Sequence, residues 1–411
     1  MWKVRMMRFE NGERICLPLI DNVPVFYPTY YVTRRLRSNT PSTQRNQLNE
    51  LRVLSYWEVD SGILLVDRLK NDEPLTDIEI QSLVDFSGYS LETIRKIQSG
   101  VKLLRTGYSY VDNEVKRFRL KTISAYIQFL YTLVSAAKDR DVQAQSLKAK
   151  IKGYIPKRRR HLNKTEEKVL TDEQVDVLLE KLKPGHPESP FTGEAVQCRN
   201  LAMMHVLYET GIRKGELLGL YVEDIDFGEG LVKIRRRHHD PRDPRTYQPL
   251  QKTKERDIPI PSGLVEVLAF YVMEIRGRSK AARKHPVLFV AHHGGDEGNA
   301  LSSAGCQYIF TQFLKAFPVM KGAHTHLLRH HMNYRLSGML ENIEGWQDMT
   351  PEERMRLDES VRTDLMGWKP GSSMQELYNK RYHKEVANKV MAKRADALKG
   401  VVPSIANKGD E

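Results

Sequence analysis

Cysteines and long apolar runs are scarce in this sequence, and each shortage excludes a class of protein. The 411 residues include three cysteines, which form no C-x-x-C pair: Cys16, Cys198 and Cys306. This pattern argues against a disulfide framework and a structural zinc site, and it favours a reducing compartment. No segment approaches the roughly eighteen uncharged apolar residues of a spanning helix, and the first residues lack the apolar core of a signal peptide. We therefore expect a cytoplasmic protein without membrane contact.

Basic residues outnumber acidic ones, and this excess of positive charge favours a polyanionic partner. Lys and Arg total 65, Asp and Glu total 52, and the formal net charge is +13. Nucleic acid is the first expectation for such a balance. The G-x-x-x-x-G-K-[ST] loop of many nucleotide-binding proteins is absent from the sequence, so no nucleotide cofactor is expected. A chain of 411 residues, 40% of them hydrophobic, is long enough for two principal domains.

The first part of the chain combines short extended runs with helices. An Asn-Gly turn signal at Asn11 lies between two short apolar runs, which predicts a β-rich arm over residues 1–40. Either Ser42 or Thr43 is expected to cap the helix that follows. Apolar residues recur there at helical spacing: Leu48, Leu51, Leu54 and Trp57. We predict a small, mostly helical domain over residues 41–147.

A basic segment follows, which we interpret as an inter-domain linker over residues 148–169. Between Lys148 and Lys164 there are eight basic residues and no acidic one. A charge run of this kind is usually a solvated surface, and contact with DNA phosphates is the functional alternative. The candidate phosphate-binding residues are Lys157, Arg158, Arg159 and Arg160.

A larger α+β domain is predicted over residues 170–383, beginning with a helix capped near Thr171. Residues 384–411 are predicted to form a C-terminal helix or tail, because apolar residues recur there in an amphipathic stripe. The fold class is therefore α+β and multidomain.

The string ETGIRKGELLGLYVEDID places Arg213 and Glu216 three residues apart on a predicted amphipathic helix. An isolated R-x-x-E pair is ordinarily a surface ion pair. The whole string, however, resembles the first arginine box of the tyrosine recombinase, or phage integrase, family. The resemblance implies that Arg213 is a catalytic arginine and that Glu216 supports it.

Two strand-like runs, Val232 to Arg236 and Gln251 to Ile260, are similar to the β-hairpin of that family. The Lys-Thr-x-x-x-x-x-Pro spacing implies that Lys252 is the catalytic lysine. Lys254 is the alternative, because it shares the same face of the strand. The non-catalytic alternative is that both are ordinary exposed lysines on a strand.

The string HTHLLRHH matches the H-x-x-R-H box of the family at His326, Arg329 and His330. Side chains at these positions lie on one helical face. The resemblance implies catalytic roles for His326 and Arg329 and a supporting role for His330. A zinc site is the alternative, but the Glu of H-E-x-x-H is missing and the cationic arginine would repel a dication.

The string LMGWKPGSSMQELYNKRY contains Trp368 and, ten residues later, Tyr378. The family places a Gly-His or Gly-Trp pair at about that distance before its nucleophilic tyrosine. The resemblance therefore implies that Tyr378 attacks DNA and that Trp368 lines the site. Tyr382 is the competing tyrosine, since it would share one helical face with Tyr378.

A metal-dependent nuclease is an alternative function for a protein that acts on DNA. Glu223, Asp224 and Asp226 form the tight acidic cluster that would hold magnesium. They occupy a turn that closes the first arginine box, which the family uses structurally. We therefore expect no metal and no cofactor.

The resemblance covers residues 170–385 and implies a fold and a function. The expected fold is a helical DNA-clamp domain followed by a mixed helical catalytic domain with a small antiparallel sheet. The expected function is site-specific recombination of double-stranded DNA through a 3′-phosphotyrosine, by a homotetramer on DNA that accessory DNA-bending proteins assist. Residues 341–358 form an apparent insertion, and residues 1–147 carry no assignable motif.

Two other functions are compatible with these residues. A type IB topoisomerase shares the fold and the tyrosine chemistry but relaxes DNA as a monomer, and the H-x-x-R-H and Met-Gly-Trp strings favour the recombinase. A catalytically silent DNA-binding regulator on the same scaffold is the second alternative. Every predicted catalytic position holds a competent residue, which disfavours it.

Overall fold

The computed structural model describes residues 2–100, 107–157, 169–251, 253–368 and 391. The chain forms two units, Met1–Asn163 and Lys164–Glu411, each with a hydrophobic core of its own. Within the described ranges, no helix has both the length and the apolar character that crossing a membrane requires.

The first unit begins with an antiparallel sheet. Strands β1 (Lys3–Arg8) and β2 (Arg14–Ile20) pair across the predicted turn, where Gly12 has a φ of +85°, and β3 (Val23–Pro24) adds to β2. A residue without a side chain suits this left-handed conformation. The predicted Asn-Gly hairpin is confirmed.

The sheet is not a separate arm, which corrects the predicted division at residue 40. Trp2, Met6, Ile15 and Cys16 are buried in the same core as Leu48. Alternate side chains of a strand point to one face, and here that face packs against the helices. Sequence alternation predicts that such a face exists, but it does not identify what covers the face.

The rest of the first unit is helical. Its helices are α1 (Phe26–Tyr31), α2 (Pro41–Ser61), α3 (Leu65–Lys70), α4 (Asp77–Phe86), α5 (Leu91–Gln98), α6 (Asn113–Val134) and α7 (Arg140–Gly153). The predicted apolar stripe of α2 is buried, as expected. Thr40 caps α2, not Ser42 or Thr43, because Pro41 takes the first helical position, which needs no N–H donor. Helix α7 continues to Gly153, so the linker cannot begin at residue 148.

The second unit is also mainly helical. Its helices are α8 (Asp172–Glu180), α9 (Glu194–Thr210), α10 (Lys214–Leu218), α11 (Ser262–Phe270), α12 (Ser303–Ala316), α13 (Thr325–Glu341) and α14 (Pro351–Met366). The capped start at Thr171 is confirmed, since its side chain accepts from Gln174 N and the Gln174 side chain accepts from Thr171 N. Together the two units match the predicted α+β multidomain class.

A three-stranded antiparallel sheet lies beside these helices. Its strands are β4 (Ile225–Asp226), β5 (Leu231–Ile234) and β6 (Arg256–Pro259). Val232 pairs with Ile258, and both are buried. The hairpin is present but its second strand is shorter than predicted. That strand begins at Arg256, and Lys252 lies outside the described residues.

The apparent insertion at residues 341–358 forms regular structure. It comprises the end of α13, a 3₁₀ turn at Trp346–Asp348 and the first half of α14. Arg362 is fully buried and binds the Asp358 carboxylate at 2.8 Å and the Asn333 carbonyl at 2.8 Å. These contacts hold α14 against α13. Trp368 follows two residues after the end of α14.

Candidate active site

Arg213 lies between two helices rather than within one. Helix α9 ends at Gly211, with a φ of +61°, and Arg213 is the N-terminal capping residue of α10. A side chain at Gly211 would crowd Met332, with its Cβ 3.0 Å away. The predicted single helix is thus broken by a turn that holds the backbone of Arg213, whose side chain is 36% exposed.

Glu216 lies buried below Arg213. Its carboxylate accepts a hydrogen bond from the Arg213 backbone N at 3.0 Å, while the Arg213 guanidinium Nη1 is 3.5 Å away. The shorter ionic contact is to Arg256, whose Nη2 donates to Oε2 at 2.8 Å. Burial raises the pKa of Glu216, but Arg256 and the other donors outweigh it and leave the pKa below its usual value. Glu216 therefore supports Arg213 mainly through its backbone.

Arg256 was not predicted as a site residue, although its place on the inner face of a strand is a sign of a buried partner. It shares one face of strand β6 with Ile258, and that face is buried. A charged residue on the inner face of a strand needs a buried partner. The Thr253 hydroxyl also donates to Glu216 and accepts from Arg256.

His326, Arg329 and His330 lie in the first turns of α13, whose N-terminal cap is His324. The rings of His326 and His330 are edge to face, with centroids 4.5 Å apart. Burial lowers the pKa of His326, and the positive charges of Arg329 and Arg213 lower it further. Both arginines therefore act on the same imidazole and disfavour its charged form.

Arg329 is 2% exposed and joins three segments of the second unit. Its Nη1 donates to the Gly211 carbonyl at 2.8 Å, and its Nη2 donates to the Met366 carbonyl at 2.9 Å. The guanidinium also lies 5.8 Å from the centroid of the Trp368 ring. These contacts fix the orientation of the arginine before any substrate binds.

Trp368 is 6% exposed and packs with Met332 and Met366. It follows Gly367, which ends α14 in the left-handed conformation with a φ of +64°. The Trp368 indole is thus a buried apolar surface beside Arg329.

Replacement of Gly367 by Ala should destabilise the second unit. A Cβ there would lie 2.8 Å from Arg256 Nη1, in addition to the strain of a positive φ. We expect the free energy of unfolding to fall by about 1–3 kcal/mol in urea titration. Gly345→Ala is the control, since Gly345 has a φ of +79° and no atom within 4 Å of the added Cβ. Equal losses in the two variants would contradict crowding at Gly367.

Several predicted residues lie outside the described residues: Lys252, Tyr378, Tyr382, Arg158, Arg159 and Arg160. Of the remaining candidates, Lys157 is exposed in the first unit. Lys254 is exposed, and its carbonyl accepts from Arg256 Nη1 at 3.3 Å.

The acidic cluster near the first arginine box is engaged in ion pairs. Asp224 binds Arg237 with 2.6 Å between the charged atoms, and Asp226 binds Lys233 at 2.9 Å. The Arg237 guanidinium also stacks 4.0 Å from the centroid of the Tyr221 ring. In the part of the chain that the structure describes, no group of three or more His, Cys, Asp or Glu is arranged to hold a metal ion.

Residues 168–349 match the phage integrase family. The matched segment lies within the second unit.

It is 32% identical over 176 residues to tyrosine recombinase XerD of Halalkalibacterium halodurans, covering 43% of this chain and 49% of the relative. It is 25% identical over 245 residues to tyrosine recombinase XerC of Syntrophus aciditrophicus, covering 58% of this chain and 65% of the relative. The chain therefore spans about half of the length of the first relative.

A solved structure agrees with this fold. The crystal structure of XerH site-specific recombinase bound to difH substrate, a pre-cleavage complex, matches with a TM-score of 0.50 and 15% identity. The match covers 87% of this chain and 82% of that chain. Likeness at this identity shows the fold, and the predicted fold class is confirmed.

Proposed function

We propose that the protein is a site-specific DNA recombinase that cuts and rejoins double-stranded DNA through a 3′-phosphotyrosine. The observation that carries this proposal is that Arg329, on the helix that also carries His326 and beside the Trp368 ring, donates at 2.8 Å to the Gly211 carbonyl, two residues before Arg213. Two guanidinium groups beside an imidazole suit one phosphodiester, because guanidinium offers a planar fork of donors to phosphate oxygens. The match of residues 168–349 to the phage integrase family supports recombination as the reaction.

The arginines neutralise the phosphate in the transition state. Attack on a phosphodiester places extra negative charge on the two non-bridging oxygens. Arg213 presents a partly exposed guanidinium to the phosphate, and Arg329 is held by two carbonyls, so Arg329 is oriented before charge develops. Preorganised donors of this kind contribute about 3–4 kcal/mol each.

Tyr378 supplies the nucleophile and Lys252 the proton for the leaving group. The phenolic oxygen of Tyr378 bonds to phosphorus, the bond from phosphorus to the 5′ oxygen breaks, and Lys252 protonates that oxygen. His326 donates a hydrogen bond to the same phosphate or accepts the phenolic proton, and the neighbouring cations favour the phenolate. One phosphodiester replaces another, so the step needs no nucleotide, and the arginines supply the charge that a nuclease takes from metal.

The basic residues account for DNA binding, and strand exchange sets the number of protomers that assemble on DNA. The segment from Lys157 to Arg160 contacts DNA phosphates without reading sequence, and the first unit clamps the duplex. Strand exchange between two duplexes calls for four protomers. Accessory DNA-bending proteins assist, and the protein acts on DNA in the cytoplasm.

Holliday-junction formation tests this function. The target site is first obtained by sequencing DNA recovered from covalent complexes in cells that express the protein. Two labelled duplexes carrying that site should then yield a four-way junction. Relaxation of supercoils without a junction would support a topoisomerase instead, and binding without cleavage would support a silent regulator.

The pH dependence of cleavage reports the state of His326. Its pKa lies below the ordinary value of 6.5, because burial and the neighbouring cations disfavour the charged form. The imidazole therefore stays neutral, and able to accept a proton, until the pH falls below 6.5. At low DNA concentration the cleavage rate should be level above this pH and decline only below it. An acid limb above that value, or one that His326→Gln retains, would contradict the assignment.

A further inference from the structure

A buried ion pair of the second unit, between Arg256 and Glu216, lies next to the proposed catalytic Arg213. Resting on the proposed function, we infer that Arg256 is a positioning residue of the cleavage site. It binds the Glu216 carboxylate and thereby leaves the Arg213 guanidinium available to the DNA phosphate.

Burial makes the pair of Arg256 and Glu216 a strong constraint. Their side chains are 5% and 1% exposed, and their charged atoms lie 2.8 Å apart. Breaking a buried pair by removing one partner leaves an uncompensated charge, which is far more costly than losing a surface pair. Glu216 therefore has to find another cation if Arg256 is removed.

Among the described residues, a second cation beside Glu216 is Arg213. Its Nη1 already lies 3.5 Å from Glu216 Oε1, beyond the distance of a strong charged hydrogen bond. The Arg213 backbone N donates to the same carboxylate at 3.0 Å, so the backbone is anchored while the side chain is not. Without Arg256, the carboxylate would draw the Arg213 guanidinium inward and away from the phosphate.

Arg256 also joins three segments that carry proposed catalytic residues. Its Nε donates to the Leu365 carbonyl at 2.8 Å, close in sequence to Trp368. Its Nη1 donates to the Thr253 hydroxyl at 3.0 Å, next in sequence to Lys252. A guanidinium has the planar fork of donors for these contacts, whereas a lysine ammonium keeps only the charge.

The test measures single-turnover cleavage of a nicked duplex at saturating DNA, together with DNA affinity. Arg256→Met should slow cleavage about 100-fold, the loss expected for one misplaced donor, and change the DNA dissociation constant little. Arg256→Lys should lose less, because it keeps the charge. Adding Glu216→Gln to Arg256→Met should recover part of the rate, since the carboxylate that captures Arg213 is gone. A 5′-thiolate leaving group, which needs no proton, should not rescue Arg256→Met.

A matched control separates a loss of positioning from a general loss of stability. Arg245 and Asp243 form a buried pair in the same unit, with 2.7 Å between charged atoms and side chains 7% and 1% exposed. Arg245→Met should lower stability, measured by thermal melting, while folded protein cleaves at nearly the wild-type rate. A comparable rate loss in Arg245→Met would reduce Arg256 to a stability role and overturn the inference.

Other outcomes also decide the question. Full thiolate rescue of Arg256→Met would place its action on the Lys252 segment, and a double variant as slow as Arg256→Met would exclude the carboxylate route. Either result overturns the inference. If Arg256→Met cleaves at the wild-type rate, the positioning role fails while the proposed function stands. If wild-type protein forms no covalent adduct, the proposed function falls and the positioning role falls with it.

Discussion

Replacement of Tyr378 by Phe should abolish covalent attachment to DNA. The substitution removes only the attacking oxygen and leaves an aromatic side chain of nearly the same shape, so DNA binding should persist. Wild-type protein should accumulate an adduct joined to a 3′ phosphate on a nicked suicide duplex, with a free 5′ hydroxyl opposite. Denaturing gel electrophoresis measures the adduct, and a shift assay measures binding.

Tyr382→Phe is the matched control, because the two tyrosines are four residues apart and would share one helical face. It should form the adduct at close to the wild-type rate. An adduct in Tyr378→Phe, or a phosphotyrosine mapped to Tyr382 by mass spectrometry, would show that the nucleophile is misassigned.

Arg329→Lys should produce the second large loss, about 100- to 1000-fold in the rate of adduct formation. A lysine keeps the charge but lacks the fork that reaches the Gly211 and Met366 carbonyls and the phosphate together. The charge that develops on the phosphate would then meet one point cation instead of oriented donors. Rapid-quench cleavage at saturating DNA measures the loss.

Arg335→Lys on the same helix serves as its control. Arg335 binds Glu209 at 3.2 Å and lies over the Tyr208 ring, with its carbon 4.4 Å from the centroid. The lysine retains this ion pair, so adduct formation should change by no more than about twofold, as for a surface pair. A decline in Arg335→Lys as large as in Arg329→Lys would indicate general damage to α13.

The sequence predicted those features that depend on local spacing. His326, Arg329 and His330 lie on one helix because they are three and four residues apart, and the capped start at Thr171 follows from its own hydroxyl. The stripe of α2 is buried for the same reason. Periodicity and capping are local properties, so a single chain reveals them.

Features that depend on distant partners escaped prediction. Arg256 pairs with a residue forty positions earlier in the chain, and spacing within β6 does not reveal that partner. The N-terminal sheet joins the helical core through its buried face, and residues 341–358 form the ends of two helices, of which Asp358 binds Arg362. Tertiary contacts set these outcomes, and local pattern carries no record of them.

The most direct test of the central claim is the product that wild-type protein leaves on DNA in EDTA. A nicked duplex carrying the recovered target site should yield protein attached to the 3′ phosphate and a strand with a free 5′ hydroxyl, without metal or nucleotide. Free 3′ hydroxyl and 5′ phosphate ends with no attached protein, or cutting that returns only on addition of magnesium, would contradict it.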